Sequence, residues 1–213
     1  ALTLEKYVKA TRNGRGTRLD RKKRMQIWKV FENYQNLMKE NQIRDINTAM
    51  YESTKLLEST SRKPQYASII IDEGQDFSDN AYRLVRALAG EEHPNDIFIV
   101  GDSHQRIYRN HPTLSKCGIN VRGRSSVLKI NYRTTEEIRK HAFALLNGIS
   151  FDDLDEDLDL GDKCQSLTHG GKPVVENFGN ANDEFNFLLR EVKKLKENGV
   201  SLTDICVVAR TKK

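Results

Sequence analysis

Apolar positions along this chain follow two periods, and the switches between them mark its elements. From Met25 onward, Ile27, Trp28, Phe31, Tyr34 and Met38 recur at steps of three and four. That spacing lines one face of a helix and predicts the face for a core. A second helix is predicted from about Asn47, a favourable N-cap, through Ala49, Met50, Leu56 and Leu57. Ser59-Thr60-Ser61 and Pro64 break it, and Ser68 to Ile71 reads as a strand. Its unbroken isoleucines suit a strand covered on both faces, as in a parallel sheet flanked by helices. Ser78, followed by Asp79, caps a predicted helix through Leu88. Asp96 to Asp102 and Val127 to Ile130 read as further strands, and Thr134 with Glu137 forms a capping-box pattern opening a helix towards Leu146. Val174 to Phe178 predicts a strand, Asn182 to Asn198 an amphipathic helix, and Ile205 to Ala209 a last buried strand. Strand and helix alternate, which predicts an α/β fold of parallel βαβ units.

Two of these strands run straight into acid. Ile71 is followed by Asp72-Glu73, and Val100 by Gly101-Asp102, then Ser103-His104-Gln105. Ligands of open α/β sheets bind at the carboxyl ends of strands. Phosphate transfer needs one carboxylate to hold Mg²⁺, usually through water, and a second to orient the attacking water. Asp72 and Glu73 fit those two tasks. The alternative is a pair of solvated acids that close a strand and start a helix. Gly101 permits a sharp turn. His104, standing alone, reads as a structural hydrogen-bonding group, and the third strand ends in Asn131-Tyr132-Arg133.

Charge tilts the picture only mildly. Lys and Arg number 35 against 30 Asp and Glu, a net +5. The excess gathers at the start, where Lys6, Lys9, Arg12, Arg15, Arg18, Arg21, Lys22, Lys23 and Arg24 face only Glu5 and Asp20. That run fits either phosphate-backbone contact or a solvated surface. Its Asn13-Gly14-Arg15-Gly16 is a turn signal rather than a phosphate-binding loop, because no Gly-Lys-Thr/Ser comes after it. Cys117, Cys164 and Cys206 are isolated, which points away from disulfides and zinc and fits a reducing compartment. Nothing reads as a signal peptide or membrane span, so a cytoplasmic protein is expected. The acidic stretch from Phe151 to Asp162 invites a calcium-loop reading. Counted from Asp155, however, the sixth position is Leu160 and the twelfth Ser166, so a solvated loop is expected instead.

Three of these segments, taken in order, resemble the UvrD/Rep-like superfamily 1 helicases. Ile71-Asp72-Glu73-Gly74-Gln75-Asp76 resembles motif II (Walker B) of that family. Gly101-Asp102-Ser103-His104-Gln105-Arg106-Ile107-Tyr108 resembles motif III, and Asn131-Tyr132-Arg133 motif IV. Tyr34 with Asp45 falls where the family has a helical segment before motif II, and Ile205 to Arg210 is similar to the strand after motif IV. The resemblance covers roughly residues 25 to 213. It implies a RecA-like α/β fold, with residues 1–125 belonging to the first motor domain and 126–213 beginning the second. It also implies ATP and Mg²⁺ as substrate and cofactor, single-stranded and duplex DNA as partners, work such as DNA repair, and 3′ to 5′ movement. Asp72 would coordinate Mg²⁺, Glu73 polarise the attacking water, and Gln105 sense the γ-phosphate. Tyr132 would stack on adenine and Arg133 meet γ-phosphate charge. Tyr108, with Arg106, Arg109, Arg122 and Arg124, would contact single-stranded DNA.

The sequence departs from the family in two respects. After Tyr108 it continues Arg109-Asn110-His111-Pro112 where the family has Phe-Arg-Gly-Ala, which puts the base-stacking aromatic in doubt. No Gly-x-x-x-x-Gly-Lys-Thr/Ser occurs in the 213 residues, nor anything like motifs V and VI with their arginine finger. The expectation is therefore the middle of a helicase, inactive towards ATP by itself. Two rivals stand beside it: a non-catalytic nucleic-acid-binding or regulatory module of helicase shape, and an RNA-directed relative.

Overall fold

The computed structural model describes residues 3–10, 19–61, 66–105, 112–147, 151–152, 158–159 and 164–209. In chain order the helices are α1 (Leu4–Lys9), α2 (Arg21–Glu40), α3 (Ile46–Ser59), α4 (Asp79–Ala89), α5 (Glu136–Ala144) and α6 (Ala181–Glu197). The strands are β1 (Ile69–Ile71), β2 (Ile97–Ile99), β3 (Ile130–Asn131), β4 (Phe151–Asp152), β5 (Leu158–Asp159) and β6 (Gln165–Ser166). Two compact units divide the chain: Ala1–Val127 with Ile149–Leu160, and Leu128–Gly148 with Gly161–Lys213.

In the first unit β1 and β2 run parallel in the register Ile69↔Ile97, Ile70↔Phe98 and Ile71↔Ile99, with α4 as the crossover. The helix begins where the sequence places it, since the Ser78 hydroxyl accepts from the Ala81 amide at 3.3 Å. Its Tyr82 is fully buried in a core of Ile71, Leu114, Cys117 and Ile119, around which Ile69, Phe77, Val85, Ile97, Ile99 and Val121 pack. Arg86 on α4 pairs with Asp96 at 2.7 Å, fastening the helix to the start of β2. Only one face of this strand pair is covered among the described residues. Ile70 is 75% and Phe98 61% exposed, so the two-sided burial read from the isoleucine run is not what the structure has. A run of β-branched residues states a preference for pleated structure, and neighbouring elements decide which face is covered.

The helices before β1 differ from expectation in their caps and their burial. The cap of α3 is Asp45 rather than Asn47, because one carboxylate takes the Thr48 amide at 2.7 Å, the Thr48 hydroxyl at 3.1 Å and the Tyr34 hydroxyl at 2.8 Å. Those bonds hold Asp45 below the usual carboxylate range, the Thr48 amide contributing most. On α2 only Trp28 is buried, its ring tilted against those of Tyr7 and Phe31, while Ile27 and Tyr34 of the predicted face stay exposed. Within the basic run Arg24 has a structural task. It donates to the carbonyls of Val8 at 2.6 Å and Ala10 at 2.9 Å, closing the end of α1.

In the second unit β3 and β6 pair in parallel, Ile130↔Gln165 and Asn131↔Ser166, with α5 among the residues that connect them. The cap of α5 is Thr135, one residue later than the capping-box reading, and it accepts from the Ile138 amide at 3.5 Å. Thr134 is already engaged by Asn131, whose side chain donates to its hydroxyl at 2.7 Å. The helix predicted over 182–198 is α6. Neither Val174 to Phe178 nor Ile205 to Ala209 forms a strand, and Val208 is 87% exposed. Both are coil, because a strand needs a ladder partner and none adjoins them among the described residues. The stretch expected as a plain loop instead contains an antiparallel hairpin, Phe151↔Asp159 and Asp152↔Leu158, belonging to the first unit. Its alternation of apolar and acidic residues is also the period of a strand.

Candidate functional site

The carboxyl ends of β1 and β2 carry the acids. Past Ile71 the ladder closes with Val100 N–H donating to the Ile71 carbonyl at 2.8 Å and Gly74 N–H to the Val100 carbonyl at 2.9 Å. This draws the turn after β1 over the end of β2. Asp72 and Glu73 are exposed there. One Asp72 oxygen accepts from the Glu73 amide at 2.9 Å, and Glu73 adopts a left-handed backbone, φ 54° and ψ 41°. Gly74 has room for no side chain. A Cβ there would lie 2.7 Å from Ile99 Cγ2 and 2.8 Å from the Tyr82 hydroxyl, which donates to the Gly74 carbonyl at 2.5 Å.

Gln75 lies beneath this turn, 4% exposed. Its Nε2 donates to Glu73 Oε2 at 2.6 Å, and its Oε1 accepts from the Asp102 amide at 3.0 Å. Gly101 is shaped to the same amide, since a Cβ would fall 2.8 Å from Gln75 Oε1. Asp102 in turn organises the residues just past β2. Its Oδ1 accepts from the His104 amide at 3.0 Å and faces His104 Nδ1 at 3.1 Å, while its Oδ2 accepts from Gln105 Nε2 at 2.9 Å. His104 is thus tied into the turn, as its solitary position in the sequence suggests. The structure brings Asp72, Glu73 and Gln105 to the ends of two paired strands. It adds Gln75 and Asp102 as the links between them, to which sequence reasoning gave no role. The available signal was a polar glutamine inside an otherwise tightly packed turn.

Electrostatically this end of the sheet offers exposed carboxylate oxygen. Mg²⁺ characteristically takes one or two protein carboxylates, with water and substrate phosphate completing its shell. Asp72 fits that pattern, having one oxygen committed to the Glu73 amide. Among the described residues no group of three or more His, Cys, Asp or Glu forms a closed metal cage.

Tyr132 and Arg133 come after β3 in the second unit, each exposed. At 75% exposure Tyr132 is not a core aromatic, and its ring is available for stacking. The turn that presents the pair is set by Asn131, whose Oδ1 accepts from the amides of Arg133 at 2.8 Å and Thr134 at 3.2 Å. Of the residues expected at DNA, Arg106, Tyr108 and Arg109 lie outside the described residues. Arg122 is exposed, whereas Arg124 pairs with Glu92 at 2.7 Å and also reaches the Asn120 carbonyl, so part of its charge is spent within the fold.

Comparison with known proteins gives these residues a context. Residues 2–111 match the family model of the UvrD/REP helicase N-terminal domain, and residues 126–213 that of the UvrD-like helicase C-terminal domain. The chain is 28% identical over 172 residues to a probable DNA helicase II homolog of Mycoplasma pneumoniae, covering 77% of this chain and 24% of that protein. It is 26% identical to DNA helicase II of Escherichia coli over 70% of this chain and 20% of the relative. To ATP-dependent DNA helicase PcrA of Staphylococcus aureus it is 26% identical over 85% of this chain and 25% of the relative. The chain therefore spans a quarter or less of the length of these relatives. No helix among the described residues is long and apolar enough to cross a membrane.

Proposed function

Since this chain belongs to the UvrD/REP helicase family, we propose that it is the central part of an ATP-dependent DNA helicase. Residues 1–125 would be the later part of a first RecA-like motor domain and residues 126–213 the start of a second. Two separate family models support that division, and the compact units change over close to it, between Val127 and Leu128, with 149–160 alone grouped on the other side. One observation carries the functional reading. Two parallel strands end in acid side by side, and the turns after them are bonded together through Gln75 and Asp102.

In this reading ATP lies across the carboxyl ends of β1 and β2. Mg²⁺, when bound, neutralises phosphate charge as it develops in transfer. Asp72 supplies its carboxylate ligand. Glu73 accepts a hydrogen bond from the attacking water and aims it in line with the γ-phosphorus, and Gln105 reads the γ-phosphate by hydrogen bonding. Tyr132 stacks on adenine, and the Arg133 guanidinium meets charge on the γ-phosphate, a charge-assisted contact that strengthens as the transition state forms. Arg122, with Arg106, Tyr108 and Arg109, would line the path of single-stranded DNA.

The test is duplex unwinding and ATP turnover by the full-length chain carrying this segment, with single-stranded DNA and RNA as alternative stimulants. DNA should stimulate and RNA should not. Binding should weaken steeply with salt, by roughly 0.7 of a decade per decade of salt for each phosphate contacted on the single-strand scale. Stimulation by RNA alone would move the protein to the RNA-directed reading. Salt-insensitive binding without turnover would remove it from motor function.

A further inference from the structure

We infer that Gln75 is a positioning residue that couples the aim of Glu73 to the turn carrying Gln105, an inference that rests on the helicase reading of the same site. Neither residue type nor burial alone would carry this; the hydrogen-bond polarity does. A side-chain amide can be turned end for end, and its partners determine the correct choice. The Asp102 backbone N–H can only donate, so the group 3.0 Å from it must be Gln75 Oε1. The Nε2 end then necessarily faces Glu73 Oε2, at 2.6 Å. A Cβ at Gly101 would lie 2.8 Å from Gln75 Oε1, so the glycine keeps room for that amide. Gln75 is 4% exposed, so neither end can exchange its partner for water without opening the turn.

The consequence is an unbroken path from one reacting group to the other. Glu73 is held by Gln75, Gln75 by the Asp102 amide, and the Asp102 carboxylate holds the Gln105 side chain at 2.9 Å. One Glu73 oxygen is committed to this path and the other is left for water. The Gln105 amide gives one of its two N–H groups to Asp102. When a γ-phosphate draws the Gln105 amide towards itself, the bond to Asp102 is given up, the Asp102 turn is released from one of its ties, and Gln75 carries the change to Glu73. The general base is thereby aimed according to whether phosphate has arrived.

Two substitutions separate positioning from packing. Gln75→Met keeps the volume and removes both hydrogen bonds. Gln75→Glu keeps an acceptor for the Asp102 amide and can donate to Glu73 only while its own carboxyl is protonated. In the full-length chain with single-stranded DNA, Gln75→Met should lower kcat by about 10- to 100-fold, the usual cost of removing a partner that orients a reacting group, with KM for ATP changed by no more than about twofold. Gln75→Glu should recover kcat towards acid pH and lose it as pH rises, a profile absent from Gln75→Met. In the 213-residue chain, Gln75→Met should speed hydrogen exchange at the Asp102 amide while exchange at Ile71 and Tyr82 stays slow. Unchanged kcat, a fall in kcat that only tracks a lowered melting temperature, or an Asp102 amide that stays protected would each overturn the inference. If Glu73→Gln itself leaves turnover intact, the helicase reading fails first and takes this inference with it.

Discussion

Glu73 holds φ 54° in a turn where a glycine would be at ease, and left-handed backbone costs an ordinary residue about 1–2 kcal/mol. Strain of this kind persists where surrounding bonds fix the position, here the Asp72 carboxylate on the Glu73 amide and Gln75 on its side chain. The expected outcome is that Glu73→Gly folds more stably than Glu73→Ala. The margin should be about 0.5–1 kcal/mol, once the greater freedom of unfolded glycine is subtracted. Urea midpoints of the two variants decide it, and an alanine variant at least as stable as the glycine one would show the strain to be absent. At this scale the position of Asp72, Glu73 and Gln105 just past strand ends was legible, since acid or amide after an apolar run is a pattern in one dimension. Gln75 was not, because its role lies in which end of its amide faces which partner. Arg24 was obscured for a related reason. In a run of nine basic residues, the one that closes α1 looks like its neighbours.

Elements were readable where a pattern is local. The crossover β1–α4–β2 stands where isoleucine runs and the Ser78 cap put it, whereas the strands expected at 174–178 and 205–209 did not form. Helices satisfy their own backbone, and strands depend on partners that no local pattern names. The start of α5 illustrates how tertiary bonds override a local one. Glu136 bonds Arg139 at 2.7 and 2.9 Å and accepts from the Ser166 amide of β6 at 2.9 Å. Glu137, expected to serve the cap, instead faces His169 at 3.0 Å and accepts from the Gly170 amide at 2.8 Å. The Arg139 bond first, then the Ser166 amide, lower the Glu136 carboxyl from 4.5 to about 2. A folded-state value below the unfolded one means the native state holds its carboxylate more firmly. The resulting stability is fully present above pH 4.5 and is lost as pH falls towards about 2. Acid titration of folding should therefore show a limb across that window, shallower in Glu136→Gln, which should also be less stable at neutral pH. Parallel limbs in the two proteins would mean that Glu136 is not the group responsible.

At the scale of the whole molecule, three motifs in order were enough to read the family, and residues 2–111 and 126–213 match its two domain models. The extent of covered surface was less legible. The chain spans 20–25% of its relatives' length, and apolar positions such as Ile70, Phe98 and Val208 are exposed within it. A hydrophobic pattern records that a face is suited to burial and says nothing of what buries it. The same consideration bears on chemistry. Phosphate-binding backbone and lysine of the kind that hold β- and γ-phosphates do not occur as a motif in these 213 residues, nor does a late arginine finger, itself worth about 10³–10⁵ in rate in related motors. The central claim is that Asp72 and Glu73 do the hydrolytic work of a DNA-dependent motor whose site is completed by other residues. The measurement is ATP turnover at saturating single-stranded DNA for the full-length chain and the 213-residue chain, each compared with its Glu73→Gln form. The expected result is DNA-stimulated turnover in the full-length protein that Glu73→Gln lowers on the order of 10²–10⁴-fold while ATP still binds, and equal background release from both short chains. Full-length turnover that survives Glu73→Gln would mean that Asp72 and Glu73 do not have these roles, and turnover by the short chain that disappears with it would mean that no other residues complete the site.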